Sequence, residues 1–294
     1  MQAEWRDAFG AYLVEVRSRT GSLRTVDTYG KVLRRFVTDV RDPAAVTPHV
    51  VHAFAYGIGA SGRTPSASTV IVRLAALRGF YDYARRMGLV DRNPADSASV
   101  KRPRLAPPTP KGLSIEEIRT LLEVIPDKPS GIRDRAIIVT CVLTGLRRAE
   151  VMGLRVRDLS QDGERVFFQV RAKGGVQRHR ELPLPAYAAI LASLKAAGTP
   201  IETLSEDSLL FPVSVQAFYS NLRRYGAKAG LTHLTPHVLR HSAAKLRRST
   251  GASIEDVSVL LGHRSIATTA TYLARLEGEQ DAGWKAAAAA LGVA

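Results

Sequence analysis

The chain has 294 residues, of which 45% are hydrophobic, so it is long enough for two domains with cores of their own and is not a disordered protein. Lysine and arginine outnumber aspartate and glutamate by 42 to 27, and the resulting net charge of +15 points to nucleic acid or an anionic membrane surface as a partner. No run of 18 apolar residues predicts a transmembrane helix, the charged first residues are not typical of a signal peptide, and the single cysteine excludes a disulfide or a cysteine-based zinc site; we expect a cytoplasmic protein.

The first hundred residues carry apolar side chains at helical spacing. Two long amphipathic segments, 4–19 and 22–40, are followed by a shorter helical segment at 48–56 and by a fourth that ends at Gly88. Many arginines lie between the apolar positions. Residues 1–100 are therefore predicted to form a DNA-binding bundle of four or five helices.

A proline-rich, basic stretch at 101–112 follows, and its prolines exclude a continuous helix or strand, so it is predicted to be a linker. The remaining residues, 113–294, form the second predicted domain. Ser114 and Glu117 have the spacing of a capping box, and the apolar run 133–145 is typical of a buried helix. Two β-prone runs flank Lys173 and its glycines, which indicates a hairpin, and helices are expected near 187–197 and 215–229. The predicted fold is mainly α, with an α+β second domain that contains a small antiparallel sheet.

The stretch TPHVLRH, residues 235–241, begins like a helix and places His237, Arg240 and His241 on one face. A zinc site could use the two histidines, but position 238 is valine where the metalloprotease motif has glutamate. A face that is simply solvated is the other interpretation. Histidine and arginine together also suit an anionic ligand.

Two further motifs follow this helix. Ser253 and Asp256 have capping spacing, Gly262 is placed to end the helix that they begin, and His263 comes directly after it. A second helix is then expected to carry Tyr272.

These residues occur in the order found in one enzyme family. Upstream, TGLRRAE places Arg147 just after the buried helix, and the hairpin carries Lys173. With His237, Arg240, His263 and Tyr272 they make the sequence resemble the Xer and phage-integrase branch of the tyrosine recombinases. The resemblance covers residues 110–280, and the helical first domain resembles the SAM-like core-binding domain of that family. Each motif alone is weak, but all of them in this order are specific.

The resemblance implies a role for each residue. Arg147 and Arg240 would hold the scissile phosphate, because a planar guanidinium can bind phosphate through two hydrogen bonds. Tyr272 would be the nucleophile, and His237 would assist its proton transfer.

Lys173 would be the general acid for the leaving 5′ oxygen, and His263 would hydrogen-bond the phosphate. Glu150, one turn after Arg147, would orient the arginine side of the site, although an ordinary salt bridge is an equal alternative. His241 and Arg248 match no assigned role. Val238 and Arg264 depart from the residues common at their positions, and neither departure affects a catalytic role.

The resemblance further implies double-stranded DNA as the partner, two sites exchanging strands through a Holliday junction in a tetramer, and no metal or nucleotide cofactor. A partner recombinase or accessory protein is compatible with it, and a nucleoid-associated location is expected. We expect no arm-binding domain of the lambda type. The alanine-rich end with Trp284 either docks on a neighbouring protomer or is a frayed tail. The alternatives are a type IB topoisomerase-like enzyme and a catalytically silent architectural DNA-binding protein.

Overall fold

The computed structural model describes residues 3–40, 42–59, 62–105, 112–171 and 177–262. The chain divides into two compact units, Met1–Pro108 and Thr109–Ala294. The domain limits expected from the sequence, 1–100, 101–112 and 113–294, stay predictions. No helix in the described part of the chain is long and apolar enough to cross a membrane.

The described part of the first unit contains four α-helices, as the apolar periodicity predicts. They are α1 (Ala3–Thr20), α2 (Leu23–Asp39), α3 (Pro48–Tyr56) and α4 (Ala67–Arg86), with a 3-10 turn at Pro43–Ala45. Each of α2, α3 and α4 begins after a serine or threonine whose hydroxyl accepts a backbone N–H from the first turn. These caps are local signals, which is why the sequence locates the helices well.

Aromatic side chains form the core of this unit. Tyr12, Phe36, Phe80 and Tyr81 are fully buried, and the rings of Tyr12 and Phe80 pack edge to face with their centroids 5.8 Å apart. Ala95 and Val100, beyond the last helix, belong to the same core, and residues 101–105 form neither helix nor strand.

The second unit contains seven α-helices and three strands among its described residues. The elements before the sheet are α5 (Ile115–Glu123), α6 (Pro129–Thr144) and α7 (Arg148–Met152). The strands are β1 (Leu159–Asp162), β2 (Arg165–Arg171) and β3 (Gln177–Leu182). The helices that follow are α8 (Leu184–Ala196), α9 (Val215–Lys228), α10 (Pro236–Ser249) and α11 (Ile254–Leu261). The mainly helical fold with a small sheet is therefore confirmed.

The sheet is antiparallel, in the order β1-β2-β3. Strands β2 and β3 are the two arms of the predicted hairpin, and Phe168 lies opposite Arg180 in their register. The side chains of Val166, Phe168 and Val170 are buried, so this face of β2 packs on the core. Strand β1 is not predicted from the sequence, because its residues Leu-Ser-Gln-Asp lack the alternation of a half-buried strand.

Helix α6 is the centre of the second unit and packs against α8 and α10. Ile137, Ile138 and Cys141 are buried, which agrees with the prediction of a buried helix. Because α6 runs through the core, its carboxyl end is held in a defined position, and the segment that follows it carries Arg147.

A buried carboxylate fixes the first half of α6. Asp134 is 0% exposed, and it accepts hydrogen bonds from Arg133, from the Asn221 amide at 2.7 Å and from the Tyr225 hydroxyl at 3.0 Å. Burial, and next the charge of Asp134, raise the pKa of Tyr225, so this hydroxyl stays a donor at neutral pH. The network joins α6 to α9.

Replacing Asp134 with alanine is expected to destabilise the second unit by about 3–5 kcal/mol, because the buried Tyr225 hydroxyl and two partly buried donors, on Arg133 and Asn221, lose their acceptor. Denaturant unfolding followed by circular dichroism measures this change. The control is Asp127→Ala, which removes an exposed ion pair with Arg135 and should change the stability little. Equal effects of the two substitutions would contradict the role given to the network.

Candidate active site

The site begins where α6 ends. Gly145 has a φ of 64°, the left-handed conformation that ends many helices, and its N–H donates to the carbonyl of Cys141. A Cβ atom at this position would lie 3.1 Å from Cγ of Leu260, so glycine also permits the close approach of α11. Leu146 is buried next to it, and the chain then turns outward at Arg147.

Arg147 is the residue before α7, and Glu150 holds it in two ways. One carboxylate oxygen of Glu150 accepts the backbone N–H of Arg147 at 2.7 Å, and the other accepts its guanidinium at 3.0 Å. The Arg147 side chain is 37% exposed and that of Glu150 is 11% exposed. The contact is the one that an orienting carboxylate needs, and the functional role of Glu150 stays a prediction.

Arg240 joins the ends of two helices. Its guanidinium donates one hydrogen bond to the carbonyl of Gly145, at the end of α6, and another to the carbonyl of Leu261, at the end of α11. Carbonyl oxygens at helix carboxyl ends carry partial negative charge, so they suit a cation. Because Gly145 is two residues from Arg147, these bonds bring Arg240 to the same junction as Arg147.

Helix α10 carries Arg240 and begins at the residues that the sequence predicts. The hydroxyl of Thr235 accepts the N–H of Val238, and Pro236 occupies the first turn. His237 is exposed, one turn before Arg240, whereas Arg240 itself is only 8% exposed. A solvated face therefore describes His237 but not Arg240, because the helix ends of α6 and α11 cover the arginine.

The third segment is α11. Ser253 and Asp256 form the predicted capping box, and Gly262 ends the helix with a φ of 61°. The chain positions of the other predicted site residues, Lys173, His263 and Tyr272, lie outside the described residues, as do Arg264 and Trp284. Thus the described part of the structure brings together Arg147, Glu150 and Arg240, with His237 on the same helix as Arg240.

The one cysteine lies behind this junction. Burial raises the pKa of the Cys141 thiol to about 12, and the nearby positive charge of Arg240 opposes the shift only in part. The thiol is therefore protonated near neutral pH and is no candidate nucleophile. Among the described residues, no group of three histidine, cysteine, aspartate or glutamate side chains is arranged to hold a metal ion.

A further arginine contacts the end of α11 and is not predicted from the sequence. The guanidinium of Arg180, on β3, donates to the carbonyl of Leu260 at 2.9 Å. Its place opposite Phe168 puts it on the face of the sheet that packs on the core. An arginine at an inward position of a strand could have indicated such a contact from the sequence, because a charge on the core side of a sheet needs a specific partner.

The arrangement suits a phosphate group. Arg240 donates to the carbonyl of Gly145, two residues before Arg147, so the segments that carry these two arginines are joined. Guanidinium groups can donate two parallel hydrogen bonds to phosphate oxygens. They remain charged at any physiological pH. Such a pair can stabilise the additional negative charge that a phosphodiester gains when a nucleophile attacks it.

Comparison with known proteins agrees with this chemistry. Residues 111–279 match the model of the phage integrase family, and residues 7–88 match that of the phage integrase N-terminal SAM-like domain. The chain belongs to the phage integrase family. It is also similar to tyrosine recombinase XerC of Roseiflexus castenholzii, with 31% identity over 281 residues that cover 90% of this chain and 87% of that protein.

A second relative is tyrosine recombinase XerC of Vibrio vulnificus, 33% identical over 216 residues; the match covers 70% of this chain and 66% of that protein's own length. Among solved structures, a lambda integrase (75–356) dimer bound to a core site has a TM-score of 0.73 at 18% identity and covers 94% of this chain and 97% of that one. The XerH site-specific recombinase bound to difH has a TM-score of 0.66 at 19% identity, covering 96% and 82%. Because both identities are below 25%, these two structures show only that this phage integrase family member has the same fold as they do.

Replacing Gly145 with alanine is expected to destabilise the protein more than the same change at Gly198, by on the order of 1–3 kcal/mol. Both glycines have positive φ, at 64° and 74°, but a Cβ at Gly198 meets nothing within 4 Å, whereas one at Gly145 meets Leu260. Urea unfolding of the two variants measures the difference. Equal losses would mean that backbone strain alone matters and that α11 does not pack on Gly145.

Proposed function

We propose that this protein is a site-specific DNA recombinase that cuts and rejoins DNA strands through a covalent 3′-phosphotyrosine. The observation that carries the proposal is the contact of Arg240 with the carbonyl of Gly145, two residues from Arg147. It supports two phosphate-binding arginines, 93 positions apart in the chain, acting at one site. The net charge of +15 supports duplex DNA as the partner.

In the proposed reaction, the Tyr272 oxygen attacks the scissile phosphorus and forms a phosphotyrosine bond while the bond to the 5′ oxygen breaks. Arg147 and Arg240 bind the non-bridging oxygens, and His263 adds a hydrogen bond to them. His237 takes part in removing the phenol proton. Lys173 protonates the departing 5′ oxygen. Attack by a 5′ hydroxyl on the phosphotyrosine then reverses the step and rejoins the strand, so no high-energy cofactor is consumed.

The relatives support the substrate class. The similar structures are a lambda integrase dimer on a core site and XerH on its difH substrate, and the sequence relatives are named tyrosine recombinases. We propose by analogy that this protein pairs two DNA sites in a tetramer and passes through a Holliday junction. A partner recombinase or accessory protein, and action at the nucleoid, belong to the same proposal.

The relatives also bear on the alternatives. Recombinases and integrases share both units of the fold with this chain, which does not favour a type IB topoisomerase-like enzyme. The complete set of six predicted catalytic residues in the sequence argues against a silent architectural protein, which would have no need to keep all of them. Recombination therefore explains more of the site than either alternative.

Replacing Tyr272 with phenylalanine is expected to abolish covalent protein–DNA adducts while leaving DNA binding unchanged, because only the nucleophilic oxygen is lost. Nicked suicide substrates that carry the target site, resolved on denaturing gels, detect the adduct, and gel shifts measure binding. The control is Tyr219→Phe, which removes a hydroxyl on α9 and should leave adduct formation intact. Failure of the wild-type protein to form adducts on its own recombination site would refute the proposed function.

Replacing Lys173 with alanine is expected to slow cleavage by about 10²- to 10⁴-fold, the usual contribution of a general acid. A substrate with sulfur at the 5′ bridging position should restore the rate, because a thiol has a pKa of about 8.5 and leaves without a proton. Single-turnover adduct formation on the oxygen and sulfur substrates measures both effects. Absence of rescue by sulfur would exclude Lys173 as the acid.

A further inference from the structure

Helix α11 is too short to be stable alone. It has eight residues, and isolated helices below about 12 residues are marginal in water. Its apolar face contributes Val257, Leu260 and Leu261 to the interior. The polar groups at its carboxyl end therefore decide how firmly the last turn is held.

The last four carbonyls of α11 all have partners. The N–H of Gly262 is shared between the carbonyls of Ser258 and Val259. The carbonyl of Leu260 accepts from Arg180, and that of Leu261 accepts from Arg240. The helix end is thus held by its own glycine and by two arginines that come from different elements.

Arg180 approaches this end from the sheet. Its residue on β3 is 80 positions before Leu260 in the chain, and its guanidinium carbon lies 5.8 Å from the ring centroid of Phe168, which is fully buried on β2. A cation above an aromatic face is attracted to it, so the ring restricts where the guanidinium can lie. The Arg180 side chain consequently connects a fixed point of the sheet to the last turn of α11.

We propose that Arg180 is a positioning residue of the recombinase, acting through α11. By holding the carbonyl of Leu260 it fixes the last turn of α11, the helix that precedes His263 in the chain. Arg180 and Arg240 bind the successive carbonyls of Leu260 and Leu261, so loss of Arg180 would also change the position of Arg240. The inference rests on the proposed function, since it concerns how the same site is assembled.

Replacing Arg180 with glutamine is expected to slow single-turnover cleavage by about 10²-fold with DNA affinity nearly unchanged, because displacement of catalytic groups by about 1 Å has this cost. The matched control is Arg135→Gln. Arg135, ten residues before Gly145 on α6, donates to the carbonyl of Ile125 at 3.0 Å, so the substitution removes the same kind of bond away from α11. Cleavage by Arg180→Gln within threefold of the Arg135→Gln rate would overturn the proposal.

A substrate with sulfur at the 5′ bridging position distinguishes whether Arg180 acts through α11 or through Lys173. Strand β3 follows Lys173 closely in the chain, so Arg180 could instead act through the proposed general acid. If it acts through α11, the 5′ thiol leaving group should leave the defect of Arg180→Gln in place, while it restores Lys173→Ala. Full rescue of Arg180→Gln by sulfur would assign its effect to the hairpin and overturn the proposal.

Hydrogen exchange tests the same contact without catalysis. In the DNA-free protein, Arg180→Gln should accelerate amide exchange in the peptide 254–262, and Arg135→Gln should not. Arg180→Lys, which keeps the charge with a different donor geometry, should be intermediate and serves if the glutamine variant fails to fold. Unchanged exchange in both Arg180 variants would refute the positioning role even if the protein is an active recombinase. A wild-type protein that forms no adduct but shows the expected exchange pattern would instead refute the proposed function and keep only the structural contact.

Discussion

The buried guanidinium of Arg240 is the interaction on which the arrangement of the second unit depends. Taking a charge out of water costs several kcal/mol unless polar groups compensate it. Here the compensation comes from carbonyls of Gly145 and Leu261, which belong to the ends of α6 and α11. Those ends must therefore converge on α10, and the left-handed glycine at position 145 makes the close approach possible. Arg147 follows directly, so its location is a consequence of how Arg240 is buried.

Helix α6 transmits this constraint because polar contacts hold it along its length. Near its beginning, the buried carboxylate of Asp134 ties it to α9. At its end, the guanidinium of Arg240 donates to the carbonyl of Gly145, and that of Arg247, also on α10, donates to the carbonyl of Leu143. Between them the helix is packed with apolar side chains. A helix held in this way cannot slide or rotate without breaking hydrogen bonds. The position of Arg147, which follows α6, is therefore well defined.

The sequence predicts what depends on neighbouring residues and misses what depends on distant ones. The capping boxes at Ser114 and Ser253 are local patterns, and the structure has both. Strand β1 is missed because its pairing with β2, not its own composition, makes it a strand. The burial of Arg240 is missed for the same reason, since its two carbonyl partners lie 95 and 21 positions away. The motif order predicts Arg147 and Arg240 as the arginines of the site, but only the fold shows which helix ends lie next to Arg240.

The way in which these arginines are held also affects the electrostatic potential around them. A carbonyl oxygen stabilises a guanidinium through its dipole and carries no net charge, so the bonds from Arg180 and Arg240 to the end of α11 add no negative charge of their own. A carboxylate at the same places would cancel the field that attracts a phosphate. Glu150 contacts Arg147 with one oxygen on the backbone N–H and the other on the guanidinium, so this carboxylate fixes both the main chain and the side chain. Helix ends therefore hold these guanidinium groups in place in the ligand-free protein, which is the preorganisation that the proposed binding of a phosphodiester needs.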